Sequence, residues 1–283
     1  MKSFDWNRFR LTLCYDFATG RRQLLRNMMY MLLAYVFVFF VFHLFHPDVT
    51  DMLPPEQRGE AAQMRLSTIA QMVGGLSTVM AGVFALVTVS GMFGGEQTKQ
   101  GRIRMLMLPA SNVEKFLSRW LLMAAVTLGG TVVAFPLADA LHMLYCSLAD
   151  QPMVAATPRV WSNVCHTVFS GYTDSHYPLL STLASTLGWL SLHAFFLLGA
   201  TLFRKHQFLL TASSLAILLS LFASGANWLD HLSTDAVEQV STNHLLDLLA
   251  YTAFHLLIVC ACCWLAYRLF CRWQVITRKF VNL

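Results

Sequence analysis

Cys260, Cys262 and Cys263 form a C-x-C-C run, a pattern that can bind a soft metal through thiolates. No histidine or acid clusters beside it and its neighbours are apolar, so the three read as small packing side chains. His43, His46, His142, His166, His176, His231 and His244 gather toward what the topology below makes the outer face. They would suit metal binding or pH sensing, but no pair has the H-x-x-x-H spacing that sets two imidazoles on one helix face. Neither a metal site nor a cofactor is expected. His193 and His255 fall within apolar runs, where a polar side chain is costly, and a hydrogen bond between helices accounts for each. Ser191 and His193 are two residues apart and so do not face each other on a helix. H-E-x-x-H, G-x-S-x-G and the phosphate loop G-x-x-x-x-G-K-[ST] are all absent, so the chain itself carries no signature for hydrolysing ATP. Asp139, counted along a helix from Trp120, is expected after about 28 Å, near the outer interface, where a carboxylate costs little and no proton relay is needed. Cys146 and Cys165 form a disulfide if their compartment is oxidising, and are otherwise two unpaired thiols.

The elements that must position these residues are apolar. Of 283 residues 56% are apolar and 12% charged, with a mean hydropathy of +0.53. A soluble protein carries about 25% charged residues, and a disordered chain is poor in hydrophobics. Both classes are excluded, leaving an all-α integral membrane protein. Six runs are long enough to cross a hydrocarbon layer of about 30 Å: 28–45, 68–93, 120–138, 179–203, 208–224 and 247–270. They are apolar on every face, unlike the alternating strands of a membrane barrel. The first follows 27 residues that include Arg21, Arg22 and Arg26, and reads as a span and not a cleaved signal. Residues 1–27 place Trp6, Phe9, Leu13 and Phe17 at helical spacing between arginines, which predicts an N-terminal helix lying in the interface before the first span.

Six spans put both termini on one side. Of the 20 Lys and Arg, 17 fall in the N-terminal stretch, in loop 94–119, in the turn at Arg204 and Lys205, and in the tail that includes 271–283. Only Arg58, Arg65 and Arg159 fall opposite. The positive-inside rule makes the rich side cytoplasmic. The net charge of +5 is thus a topology signal, with no reason to expect a nucleic-acid partner.

The inner loop reads GGEQTKQGRIRMLMLPASNVEKFLSRW over 94–120. Ser111-Asn112-Val113-Glu114 fits the capping box, in which a serine caps a helix and a glutamate three residues on reaches back to its amide. Pro109 breaks the chain just before it. Val113, Phe116, Leu117 and Trp120 then form one apolar stripe leading into the third span. Before the break, Lys99, Arg102 and Arg104 oppose Met105, Leu106, Met107 and Leu108 in a basic amphipathic piece, suited to the membrane surface or to a cytoplasmic partner. Gly91 and Gly95 have G-x-x-x-G spacing, read as packing within one subunit.

On these residues the chain resembles the membrane (permease) subunit of type-2 ATP-binding-cassette exporters. Glu96, Gly101, Leu106, Leu108, Pro109, Ser111 and Arg119 match the family's most recognisable stretch, and the run L-P-A-S-N-x-E-K-F-L-S-R is similar to members in Bacteroidetes-like genomes. The family has an N-terminal interfacial helix, six spans and cytoplasmic termini. The resemblance implies an inner-membrane protein, paired with itself or a related permease, driven by a separate ATPase that docks on 94–119. The expected coupling residues are Glu96, Gly101, Arg102, Arg104, Pro109, Ser111, Glu114 and Arg119. Where the family often has G-T-x-E, this chain has Gly101-Arg102-Ile103-Arg104, so the charge is reversed and a more acidic partner surface is expected. Two other readings stay open: a scaffold or signalling protein that does not transport, and a membrane-embedded enzyme.

Overall fold

The computed structural model describes residues 4–45, 55–149, 155–162, 177–233 and 244–272, and these are all-α. The helices are α1 (Trp6–Phe45), α2 (Pro55–Ser90), α3 (Lys99–Met107), α4 (Asn112–Leu148), the short α5 (157–162), α6 (Pro178–Leu202), α7 (Gln207–Ser233) and α8 (His244–Cys271). A 3₁₀ turn, Gly94–Gln97, precedes α3. Among the described residues five helices are long and apolar enough to cross a membrane: Trp6–Val41, Ser67–Glu96, Asn112–Leu148, Pro178–Leu202 and Leu248–Cys271. The expected span 208–224 falls in a shorter apolar helix, Gln207–Leu221.

Residues 1–27 and 28–45 were expected as two helices meeting at a turn. They form the single helix α1, about 60 Å long at roughly 1.5 Å per residue. Asp5 caps its start, accepting from the Asn7 N–H at 2.8 Å, and nothing later breaks it: the helix holds no proline and one glycine, Gly20. The G-x-x-x-G reading also fails, because α2 ends at Ser90 and Gly95 lies in the 3₁₀ turn, off any shared helix face.

The chain forms two compact units. One, residues 10–88 and 118–169, holds most of α1, α2 and α4 together with α5. There α1 and α4 run parallel. Asp16 accepts from the Ser118 hydroxyl at 2.7 Å and from Arg119 Nη2 at 3.2 Å. Farther along, Met31 packs on Gly130, Tyr35 meets Phe135 edge-on at 5.4 Å, and Phe39 stacks on His142 at 5.0 Å. The core is Met31, Tyr35, Val38, Phe39, Val73, Ala134, Phe135 and Ala138, with Ala156 and Val160 of the α5 segment.

The second unit, residues 1–9, 89–117 and 170–283, holds α3, α6, α7 and α8. Pro178 opens α6 at a position where its missing N–H costs nothing. The α6–α7 turn is tight: Gln207 Nε2 donates to the Ala200 and Phe203 carbonyls, both at 3.0 Å, closing the end of α6. His206 takes φ 49°, in the left-handed region that disfavours side chains other than glycine. His206→Gly should therefore stabilise the chain by roughly 0.5–1 kcal/mol. A rise of one or two degrees in Tm would show it; a fall would mean that the imidazole contributes more than the strain removes. In the middle of α6, the Ser191 hydroxyl lies 2.8 Å from His255 Nδ1 of α8, the kind of bond between helices expected for His255. The hydroxyl also donates to the Gly188 carbonyl at 2.7 Å, so it accepts from the imidazole and is not activated by it.

Candidate functional site

The loop between α2 and α4 is a built structure. Thr98 caps α3, its hydroxyl accepting from the Gly101 N–H at 3.0 Å. Gly101 sits so close to the 3₁₀ turn that a Cβ there would run into the Gly95 carbonyl. This contact fixes the rotation of α3 and turns Gly101, Arg102 and Met105 inward. Arg102 is 2% exposed, and its Nε donates to the Glu96 carbonyl at 2.9 Å. Burial of the guanidinium, and next the nearby Arg204 cation from the α6–α7 turn, pull its pKa below the usual arginine value, with Glu96 opposing both. The expected amphipathic division is thus partly inverted: one base is buried, while Ile103, Leu106 and Met107 face out with Lys99 and Arg104.

After α3, Leu108 is extended and Pro109 is exposed, and the chain turns into α4. The capping box forms as the sequence predicts. The Glu114 N–H donates to Ser111 Oγ at 3.3 Å, and the Ser111 N–H donates to Glu114 Oε2 at 2.8 Å. The other oxygen, Oε1, accepts the Asp5 N–H at 2.8 Å and lies 3.4 Å from Arg8 Nη2. One buried carboxylate therefore closes the N-cap amides of two helices, α4 and α1. Beside it Phe93 packs at a tilt on Phe270 at 5.2 Å, Phe116 meets Phe270 edge-on at 5.5 Å, and Tyr267 meets Phe116 at 5.8 Å. The start of α1, both ends of the loop and the end of α8 meet at this joint.

No protein-family model matches the sequence, and neither a curated protein nor a solved structure matches it.

Of the expected coupling residues, Glu96, Gly101, Arg102 and Glu114 are buried braces that hold the loop's shape. Ser111 is a cap, and Arg119, itself part of the α1–α2–α4 unit, pairs with Asp16 within that unit. Arg104 and Pro109 are exposed. Sequence reasoning missed Asp5 and Arg8, whose only local signal was an aspartate just before an apolar helix. It also missed Ile103, which faces out beside Leu106 and Met107, the last 79% exposed.

The remaining candidates fall elsewhere. Asp139, expected at the interface, is 1% exposed and lies nine residues, about 14 Å, before the end of α4. It is a brace: Oδ1 accepts from the Ala156 N–H at 3.2 Å, and Oδ2 from the Thr157 N–H at 2.8 Å and hydroxyl at 2.6 Å. Cys146 is buried against His142, with Sγ 3.5 Å from Nε2. Cys165, its expected disulfide partner, lies outside the described residues.

Proposed function

We propose that this chain is the membrane-spanning subunit of a transporter of the type-2 ATP-binding-cassette kind, an exporter driven by a separate ATPase docking on loop 94–119. ATP hydrolysis belongs to that partner. The working unit pairs two such permeases in the inner membrane, with both termini cytoplasmic.

The joint around Glu114 and Phe116 is the observation that carries this reading. Phe116 at the start of α4 and Phe270 at the end of α8 meet edge-on at 5.5 Å, so both ends lie on one side. The intervening chain passes through α4, α6, α7 and α8, and a return to the same side needs an even number of crossings. That supports α7 as a sixth span; its 27 residues reach about 40 Å, enough for a bilayer. The same side gathers Asp5 and Arg8 of the N-terminus and Arg204 of the α6–α7 turn, the segments whose bases make it cytoplasmic. Here α3 is held by buried polar bonds beneath an outward face of Ile103, Leu106, Met107, Lys99 and Arg104. A short rigid helix with an apolar, basic outer face suits a soluble partner with an acidic groove, and its rigidity would pass a push on to α4.

The test is purification of the tagged full chain in mild detergent with its associated proteins. An ATP-hydrolysing subunit should copurify, and Ile103→Glu with Met107→Glu should cut its recovery about tenfold, the equivalent of 1.4 kcal/mol. Both side chains are exposed, so folding should survive. Absence of any ATPase would overturn the transport reading and favour the scaffold. Full recovery with the double variant would move the docking face away from α3.

A further inference from the structure

Residues 155–162 do not run over the surface as a connection between spans ordinarily does. Ala156 and Val160 belong to the core of the α1–α2–α4 unit, alongside Tyr35, Val38, Phe39 and Phe135. Tyr35 lies ten residues, about 15 Å, from the end of α1. The segment therefore penetrates the apolar layer at the end of that unit opposite Asp16. Backbone outside a regular helix survives at such depth only when protein groups satisfy it. Asp139 does this for the Ala156 and Thr157 amides and the Thr157 hydroxyl. Arg159 Nη1 pins the other side, donating to the Ser67 carbonyl of α2 at 3.0 Å. Val160 fits against Gly74.

The hold is polar and concentrated. Ala156 and Val160 are buried, whereas Pro158, Trp161 and Ser162 are exposed. An element with little buried apolar area and a few polar anchors opens at lower cost than the long helices around it. We propose that residues 155–162 are a plug, closing one end of the α1–α2–α4 bundle and leaving it when the bonds to Asp139 are lost, so that water reaches the Tyr35–Phe135 core. This does not rest on the transport reading; it concerns access to one helix bundle, whatever passes.

Single cysteines test it, placed in a full-length chain whose seven native cysteines are replaced by serine or alanine. Sealed membrane vesicles of both orientations are treated with a membrane-impermeant maleimide. Ser162→Cys identifies the accessible side. From that side Val160→Cys should react roughly tenfold more slowly than Ser162→Cys, and Asp139→Asn should bring it within about threefold and speed Val38→Cys with it, while Leu24→Cys, buried toward the Asp16 end, stays protected. Thr157→Val keeps the charge and removes one bond, and should raise the Val160→Cys rate by a smaller factor; it replaces Asp139→Asn if that variant fails to accumulate. Fast labelling of Val160→Cys in the parent chain would show that the segment is not inserted. A rate unchanged by either variant, or equal exposure of Leu24→Cys, would overturn a releasable plug.

Discussion

Glu114→Ala should destabilise the protein by about 2–4 kcal/mol, the largest effect expected of any single polar substitution in the joint. The side chain is fully buried, at 0% exposure, and each oxygen accepts an N-cap amide, Ser111 on one and Asp5 on the other. Removing it takes the acceptor from two part-buried N-cap N–H donors and one partner from Arg8, which keeps its contact with Asp5 at 3.7 Å. Glu114→Gln tests the geometry. It presents an amide NH₂ to one of the two N–H groups, so only one bond survives, and the expected loss is roughly 1–3 kcal/mol. Ser111→Ala removes the serine side of the box alone and should cost about 1 kcal/mol. Thermal unfolding in detergent checks the series: Tm should fall in the order Ala, Gln, then Ser111→Ala, by roughly 2–4 °C per kcal/mol. Proteolysis supplies a second readout, because losing the Asp5 bond frees the start of α1, and cleavage before Phe9 should quicken in Glu114→Ala but not in Ser111→Ala. A Tm within two degrees of wild type for Glu114→Ala would mean that the carboxylate is not the tie between the two helices.

That carboxylate also marks how far the sequence could be read. The Ser111–Glu114 box was legible because its partners lie three residues apart and the chemistry is local. The bond to Asp5 spans 109 positions, and no local pattern encodes it. The apolar runs announced the long helices by composition alone. Their ends were harder, because α1 and α4 extend well past their apolar parts on polar residues that only tertiary partners satisfy, such as Asp16 with Ser118 and Arg119. Charge misled at Arg102, since a base normally marks a solvated face. The Thr98 cap and the contact of Gly101 with Gly95 decide the rotation of α3, and both are invisible to periodicity. Asp139 was placed at the interface by counting from Trp120. The pairing of Phe39 with His142 instead sets it beside the middle of the apolar run of α1.

The α6–α7 joint should be as sensitive to added volume as the Glu114 joint is to lost polarity. Gly199 is buried, and a Cβ there would collide with Thr211 Oγ1, with the Thr211 Cγ2 and Cβ at 2.7 and 2.8 Å. Thr211 cannot swing aside without cost, because its hydroxyl donates to the Gln207 carbonyl at 2.6 Å. Gly199→Ala should therefore destabilise by about 1–3 kcal/mol, and Gly199→Val by more, despite the better helix propensity of alanine. The clash has one named partner, so a double-mutant cycle can isolate it. Thr211→Gly alone should lower Tm, yet in the Gly199→Ala background it should recover at least half of the loss, giving a coupling of roughly 0.5–3 kcal/mol. Additive losses would place the cost in the backbone of α6 and not in the approach of the two helices. The consequence reaches beyond packing. Gln207 closes the end of α6 from the first turn of α7, and Arg204 between them lies beside the buried Arg102. Forcing α7 away from α6 should loosen this turn and shift the Arg204 cation, whose field acts on the buried Arg102 of α3. On the transport reading proposed above, Gly199→Ala and, more strongly, Gly199→Val should then weaken ATPase recovery in the copurification assay although no outward residue of α3 has changed, whereas adding Thr211→Gly to Gly199→Ala should restore it.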